Sequence, residues 1–272
     1  MKTRGFIDFH CHLLPGLDDG AADLEESLAI ARVLADLGFA EVYCTPHGSV
    51  GNSAYGLFVR SRVASFRRSL HEAHIPLAVQ PGIEYALQEF DGEAATDLLP
   101  LGRTGLLLVE APFLGDLPQP LATIEQLVQR GYRPLIAHPE RCRIFSAGLR
   151  DEEWGFADWM QTLLGGRRRE AMGIDLLAAL RDLGCGIQGN IGSFAGVYGE
   201  RVGGDAERLL AMGLYTHLGS DAHSLAGLAA YLRKGLRRIE ELAGRDATAL
   251  LLSGSPGDGR PARSAGTTGT GP

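Results

Sequence analysis

Phe6-Ile7-Asp8-Phe9-His10-Cys11-His12 is the stretch on which the reading of this chain turns. Its aromatic and branched residues read as a short strand, and it ends on two histidines one residue apart. In extended backbone, residues i and i+2 share a face, so both imidazoles can reach one metal ion while Cys11 points away. This run, Gly5–His12, is the first of seven. The others are Ala40–Pro46, Leu77–Glu84, Gly105–Glu110, Arg133–His138, Gly184–Asn190 and Tyr215–Ser220. Each is rich in apolar, β-favouring residues and runs into a Gly, Pro or polar turn.

Helical patterns lie between these runs. Leu24, Leu28, Ala31, Leu34 and Ala35 follow Asp23, an N-cap candidate, and Gly38 closes that helix. Further helices are expected over Leu57–Ala73, Pro118–Gln129, Glu152–Leu183, Asp205–Met212 and Leu225–Leu252. Repeated strand–helix alternation predicts an α/β fold on a parallel sheet, and at 272 residues a closed barrel. Two segments exceed a minimal barrel. A helical insert is expected over about 148–172, with Trp154, Trp159 and the run Arg167-Arg168-Arg169, a solvated stretch or an acidic-partner surface. The tail 253–272, mostly Gly, Ser, Pro, Thr and Arg, is expected to be disordered, which leaves residues 1–252 as one domain.

Composition narrows the function. With 45% hydrophobic residues the chain can bury a core, and no apolar run reaches the roughly 18 residues of a membrane span. Thirty-three acidic against 26 basic residues give a formal charge of −7, which argues against a nucleic-acid backbone binder. Met1-Lys2-Thr3-Arg4 leads straight into the first strand without a signal-peptide core, so a cytoplasmic location is expected. The four cysteines, 11, 44, 142 and 185, are scattered and fit a reduced protein.

The ends of the predicted strands carry the chemistry. His10 and His12 end the first, His47 the second, Glu84 the third, Glu110 the fourth and His138 the fifth. Asp221 and His223 follow the seventh, and Asp19 lies in the first loop. Barrel enzymes build their sites at the C-terminal ends of strands. Any one of these residues is as easily a satisfied polar group at a strand end. So many carboxylates and imidazoles on one rim would instead repel or stay unpaired without cations. Mixed imidazole and carboxylate ligation suits manganese, iron or zinc.

The long opening motif Phe6–Gly20 resembles the PHP (polymerase and histidinol phosphatase) superfamily. So do Cys44-Thr45-Pro46-His47, Pro81-Gly82-Ile83-Glu84-Tyr85, Ala137-His138-Pro139-Glu140-Arg141 and Ser220-Asp221-Ala222-His223. Within it, the Pro-Gly-Leu-Asp-Asp-Gly extension is similar to the bacterial metal-dependent protein-tyrosine phosphatase branch of capsule and exopolysaccharide synthesis. The resemblance covers the chain to about residue 245. It implies a distorted seven-stranded (β/α)7 TIM-like barrel and three metal ions, with manganese first and iron or zinc as alternatives. One ion would sit on His10, His12, Glu84 and Asp221. A second would share Glu84 and add Glu110 and His138, and a third would take Asp19, His47 and His223. Arg141 falls where that branch places a phosphate-binding arginine. The branch's second arginine, just after Asp-Ala-His, has no counterpart in Ser224-Leu225-Ala226-Gly227-Leu228, and Arg60 or Arg62 is the candidate substitute.

Such a site would hydrolyse a phosphomonoester with a metal-bridging hydroxide, while the cations and Arg141 stabilise the developing charge. The expected substrate is a bacterial tyrosine autokinase or a related exopolysaccharide-synthesis protein. His47 or His223 could assist the departing phenolate, but metal-bound imidazoles make poor acids, so the role stays open. Cysteine chemistry is disfavoured: six positions after the four cysteines stand Leu17, Val50, Gly148 and Ile191, where a cysteine phosphatase needs arginine. The rivals are a histidinol-phosphatase-like small-molecule enzyme, an amidohydrolase-type C–N hydrolase, and a metal-loaded binding module without turnover. The C–N hydrolase would normally carry a barrel lysine or a different histidine order, and no lysine stands between residues 3 and 233. His71 and His74 read as a solvated helix end, His217 as a packed histidine, and Gln188–Ser193 as a turn or a phosphate contact.

Overall fold

The structure is a computed structural model that describes residues 5–90, 97–113, 120–146 and 169–253. Its strands all pair in parallel. In chain order they are β1 (Phe6–Cys11), β2 (Phe39–Cys44), β3 (His47–Gly48), β4 (Ala78–Pro81), β5 (Glu84–Ala86), β6 (Leu106–Glu110), β7 (Arg133–Ala137), β8 (Gly186–Asn190) and β9 (His217–Gly219). One sheet runs β1-β2-β4 and the other β3-β5-β6-β7-β8-β9. Leu106–Val109 and Pro134–Ala137 are buried throughout, as expected of parallel strands covered on both faces.

Each of the seven predicted runs contains a strand, but the described residues form nine: Leu77–Glu84 is divided, and β3 lies beyond the predicted end of Ala40–Pro46. Thr45-Pro46 separates β2 from β3, and Gly82-Ile83 separates β4 from β5. Pro46 has no N–H to donate to a ladder, and Gly82 lies so close to its neighbours that an added Cβ would meet Leu101 Cδ2 at 2.5 Å. Single bonds carry the pairing across the breaks: Thr45 N donates to Cys11 O at 2.9 Å, Gly82 N to Cys44 O at 2.9 Å and Glu84 N to Pro46 O at 3.1 Å. On the far side, Asp221 N donates to His10 O at 2.7 Å and His12 N to Ala222 O at 3.1 Å, laying the end of β1 against the residues after β9.

Strands of both sheets share a small cluster of Phe9, Tyr43, Leu101, Leu106, Leu108, Leu135 and Ala137. The larger core lies outside, between strands and helices, and includes Cys11, Cys44, Val109 and Ile136. The β1–β2 register shifts between Asp8 and Cys11. That irregularity lets Phe9 join the inner cluster while its neighbour His10 faces the Glu84 and Asp221 carboxylates. Asp8 holds the kink, its Oδ1 accepting from His10 N at 3.2 Å and Ser220 N at 2.8 Å.

The first helix, Leu24–Asp36, starts at the predicted cap: Asp23 Oδ1 accepts from Glu26 N at 2.9 Å. The second, Ser53–Glu72, begins four residues before the predicted Leu57 because Asn52 caps it. The helix predicted from Asp205 starts at Gly199, since Gly203 and Gly204 lower the helical signal of its first turns. The long helix predicted to Leu252 is two, Leu228–Ala243 and Arg245–Leu251, divided at Gly244 with φ of 85°. Part of the Glu152–Leu183 prediction is the helix Arg169–Asp182. The rest of the expected insert, with Trp154 and Trp159, and the tail from 254 onward lie outside the described residues. No helix among the described residues is long and apolar enough to cross a membrane.

Candidate metal centre

His10 and His12 leave β1 with their Nε2 atoms 3.1 Å apart. Their other ring nitrogens face acceptors: His10 Nδ1 lies 3.1 Å from Gln188 Oε1 and His12 Nδ1 2.7 Å from Asp18 Oδ2. A carbonyl or carboxylate oxygen there assigns the proton to Nδ1 and leaves the Nε2 lone pair toward the centre. Two such lone pairs cannot bond each other. They need a proton or a cation between them.

Glu84 is the hub. Its Oε2 lies 3.1 Å from His10 Nε2, 3.2 Å from His12 Nε2 and 3.3 Å from His47 Nδ1, and its Oε1 lies 3.3 Å from His138 Nε2. Glu110 Oε1 approaches His138 Nε2 at 3.5 Å, and Asp221 Oδ1 approaches His10 Nε2 at 3.3 Å. Asp19 Oδ1 sits 3.5 Å from both His47 Nε2 and His223 Nε2. All nine residues singled out as ligands in the sequence therefore meet in one place. Their donor atoms form four groups, each within 4.8 Å: His12-Asp19-His47-His223, His10-His12-Asp221, His10-Glu84-His138 and His47-Glu84-Glu110. His10, His12, His47 and Glu84 each belong to two groups, so the sharing is wider than the single shared Glu84 that the resemblance implies.

Electrostatics favour positive charge at this point. Burial alone would lower the pKa of His10, yet the Glu84 and Asp221 carboxylates raise it to about 9. Burial alone would likewise raise Glu84, yet His10, His12 and His138 hold it well below the usual carboxylate range. Glu84 Oε1 and His138 Nδ1 are buried without a hydrogen-bond partner. His138 and Asp221 both adopt positive φ, 27° and 51°, a strained conformation for side-chain-bearing residues that is typical of functional sites. The donor chemistry thus fits divalent cations. The pocket beside the cluster, about 280 Å³, is lined by His47, Gly48, Ser49, Glu84, Ala86 and Glu89.

Arg141 follows the turn after β7. Its Nη1 donates to Asp221 Oδ2 at 2.5 Å, and its Cζ lies 4.5 Å from the Phe113 ring and 4.3 Å from the Tyr198 ring. Glu140 beside it is buried. It accepts from Asn190 N at 2.9 Å, Ser193 Oγ at 2.8 Å and Tyr215 OH at 2.9 Å, which locks the turn to β8 and β9. Arg62 donates to Pro15 O at 3.2 Å in a separate cavity of about 350 Å³, and neither Arg60 nor Arg62 lines the pocket beside His47.

Sequence reasoning did not single out Asp18, Phe113 or Tyr198. Asp18 stands next to Asp19, and nothing in the sequence tells which of the two turns inward to hold His12 and which faces solvent. Gln188 and Asn190, left open as a turn or a phosphate contact, bind ligands instead: Gln188 supports His10, and Asn190 Nδ2 donates to Asp221 Oδ2 at 2.8 Å. His217 is a buried, packed histidine, its ring 4.5 Å from Phe9 and its pKa lowered to about 4 by burial and then by Arg133 and Arg181. The four cysteines are free and buried, and burial pushes their thiols up. Arg167 and Arg168 lie outside the described residues, and His71 and His74 lie outside these donor groups.

Comparison with known proteins places this centre in context. The family model CpsB/CapC, capsular polysaccharide synthesis, matches residues 6–150. The chain is 30% identical over 254 residues to tyrosine-protein phosphatase YwqE of Bacillus subtilis, covering 90% of this chain and 88% of YwqE. It also superposes with a TM-score of 0.70 and 29% identity on a structure from a study of YwqE from Bacillus subtilis and CpsB from Streptococcus pneumoniae. Those two are described as unique metal-dependent tyrosine phosphatases, and the match covers 92% of this chain and 95% of that one.

Proposed function

Because this chain belongs to the CpsB/CapC family of capsular polysaccharide synthesis, we propose that it is a metal-dependent protein-tyrosine phosphatase. Its substrate in this reading is a bacterial tyrosine autokinase or a related exopolysaccharide-synthesis protein in the cytoplasm. The observation that carries the reading is the convergence of nine imidazole and carboxylate side chains, in groups within 4.8 Å, beside Arg141.

His10, His12, Glu84 and Asp221 would hold one ion, Glu84, Glu110 and His138 a second, and Asp19, His47 and His223 a third, with manganese first and iron or zinc as alternatives. When bound, such ions supply Lewis acidity and a water nucleophile ionised near neutral pH. The protein's own part is orientation. Asp221 and the two aromatic rings fix the plane of the Arg141 guanidinium, whose edge N–H groups suit the equatorial oxygens of a phosphoryl group. Gln188, Asp18 and Asn190 hold His10, His12 and Asp221 in place. His47 and His223 lie at the open side, where a phenolate would depart, but as ligands of the third ion their imidazoles would be poor acids, and a phenolate of pKa about 10 makes protonation a modest requirement. Arg60 and Arg62 would have to reach a protein substrate from the second helix, outside the pocket.

The same reading takes the two sheets as a distorted seven-stranded (β/α)7 barrel with residues 1–252 as one domain. The hydrogen bonds between the end of β1 and the residues after β9 support it.

Turnover of a phosphotyrosine peptide and of histidinol phosphate, each with and without a chelator or a thiol reagent, tests the function. Hydrolysis of the peptide, abolished by the chelator and untouched by the thiol reagent, is expected. Preference for histidinol phosphate would move the assignment to a small-molecule phosphatase, and inhibition by the thiol reagent alone would overturn the metal chemistry.

A further inference from the structure

Phe113 stands just beyond β6, 40% exposed, at the edge of the buried polar centre. Its ring lies 4.5 Å from the Arg141 guanidinium carbon and 5.7 Å from the His138 ring, tilted by 37°. Its carbonyl accepts from Arg143 N at 3.3 Å, which ties its backbone to the turn that carries Arg141. The ring therefore keeps a fixed place between the cation cluster and solvent.

We propose that Phe113 is a specificity-determining residue that favours aryl over alkyl phosphate esters by packing against the aryl ring of the substrate. The inference rests on the phosphatase reading above. A phosphoryl group held at the edge of Arg141 places its ester oxygen, and whatever that oxygen bears, beside Phe113. An aryl group there covers exposed apolar surface and meets a ring in offset or edge geometry, whereas a serine-type ester brings only a methylene. Tyr198, 4.3 Å from the same guanidinium and hydrogen-bonded through its oxygen to Asn190 at 3.2 Å, belongs to the support of Arg141 and Asp221 instead.

Non-hydrolysable inhibitors separate ring recognition from leaving-group chemistry. The test compares competitive inhibition by phenylphosphonate and methylphosphonate in the metal-loaded protein, using an aryl phosphate as substrate and metal content as a control. Phe113→Ala is expected to reduce the preference for phenylphosphonate about 3- to 10-fold, and Phe113→Tyr to retain it. Equal weakening of both inhibitors in Phe113→Ala would assign the ring solely to holding Arg141 and overturn the proposal. A wild-type protein inert toward aryl phosphate would overturn the phosphatase reading itself, and this inference with it.

Discussion

The two halves of the cluster are built differently. His10, His12, Glu84, His138 and Asp221 are buried, whereas the side chains of His223, His47 and Asp19 are 30%, 44% and 70% exposed. The inner residues sit on or directly after strands, and three of them have a second polar partner: Gln188 on His10, Asp18 on His12, Arg141 and Asn190 on Asp221. Asp19 comes from a loop and meets only the two imidazoles. Burial removes competing water and raises the cost of an unpaired charge, so the inner half would gain more from a bound cation than the outer half. The outer half can lose one and stay solvated.

The sharpest way to break this contrast is to remove the hub. Glu84→Gln keeps the size of the side chain but takes one negative charge from four surrounding imidazoles. Activity on aryl phosphate should fall on the order of 1,000-fold, and metal analysis should show more than one ion lost. His138→Ala should likewise lose metal and activity together. Asp19→Asn probes the other half. It should cost about one equivalent of metal, at the outer position, with the thermal unfolding of the metal-free protein unchanged. If Asp19→Asn emptied the whole cluster, the division into a retained inner part and an exchangeable outer part would be wrong.

What the sequence made legible follows the same division. Strand–helix alternation and polar residues at strand ends are local patterns, so the seven strands, the Asp23 cap and all nine cluster residues could be read directly. The irregularity at Asp8–Cys11 could not, because alternation places Phe9 and His10 on opposite faces. Only the register shift and the side-chain contacts reveal it, Phe9 packing with Tyr43 and Leu108 while His10 meets Glu84 and Asp221. The same holds for Asp18, Gln188, Asn190, Phe113 and Tyr198. Each acts through a contact with a residue distant in the chain, or through the choice between two adjacent carboxylates. Periodicity carries no information about either.

Asp18 offers a smaller and more discriminating test. Its Oδ2 takes both His12 Nδ1 and, at 3.0 Å, His47 N, while its Oδ1 takes Gly20 N at 3.0 Å, so one carboxylate ties the two halves together. Burial would raise its pKa, but His12 and these backbone donors bring it down to about 2. Asp18→Asn should weaken metal affinity about 10- to 100-fold, with the loss shared by the inner and outer positions. A competition titration against a chelator reads this directly. Loss confined to the outer position would mean that Asp18 serves His47 alone.

Proton release gives the mildest effect and the finest comparison. In the metal-free protein the Glu84 and Asp221 carboxylates outweigh burial and raise His10 from 6.5 to about 9. That proton stabilises the metal-free fold fully below pH 6.5, and its contribution fades as the pH rises through about 9. A cation entering the inner half must expel it. Apparent affinity there should therefore tighten about tenfold per pH unit for each proton displaced, between roughly pH 7 and pH 9. Chelator competition at pH 7 and pH 8, with each position resolved by stoichiometry, measures the slope. A flat inner slope would place a neutral His10 in the metal-free cluster, and the two halves would then differ in burial and support but not in proton release.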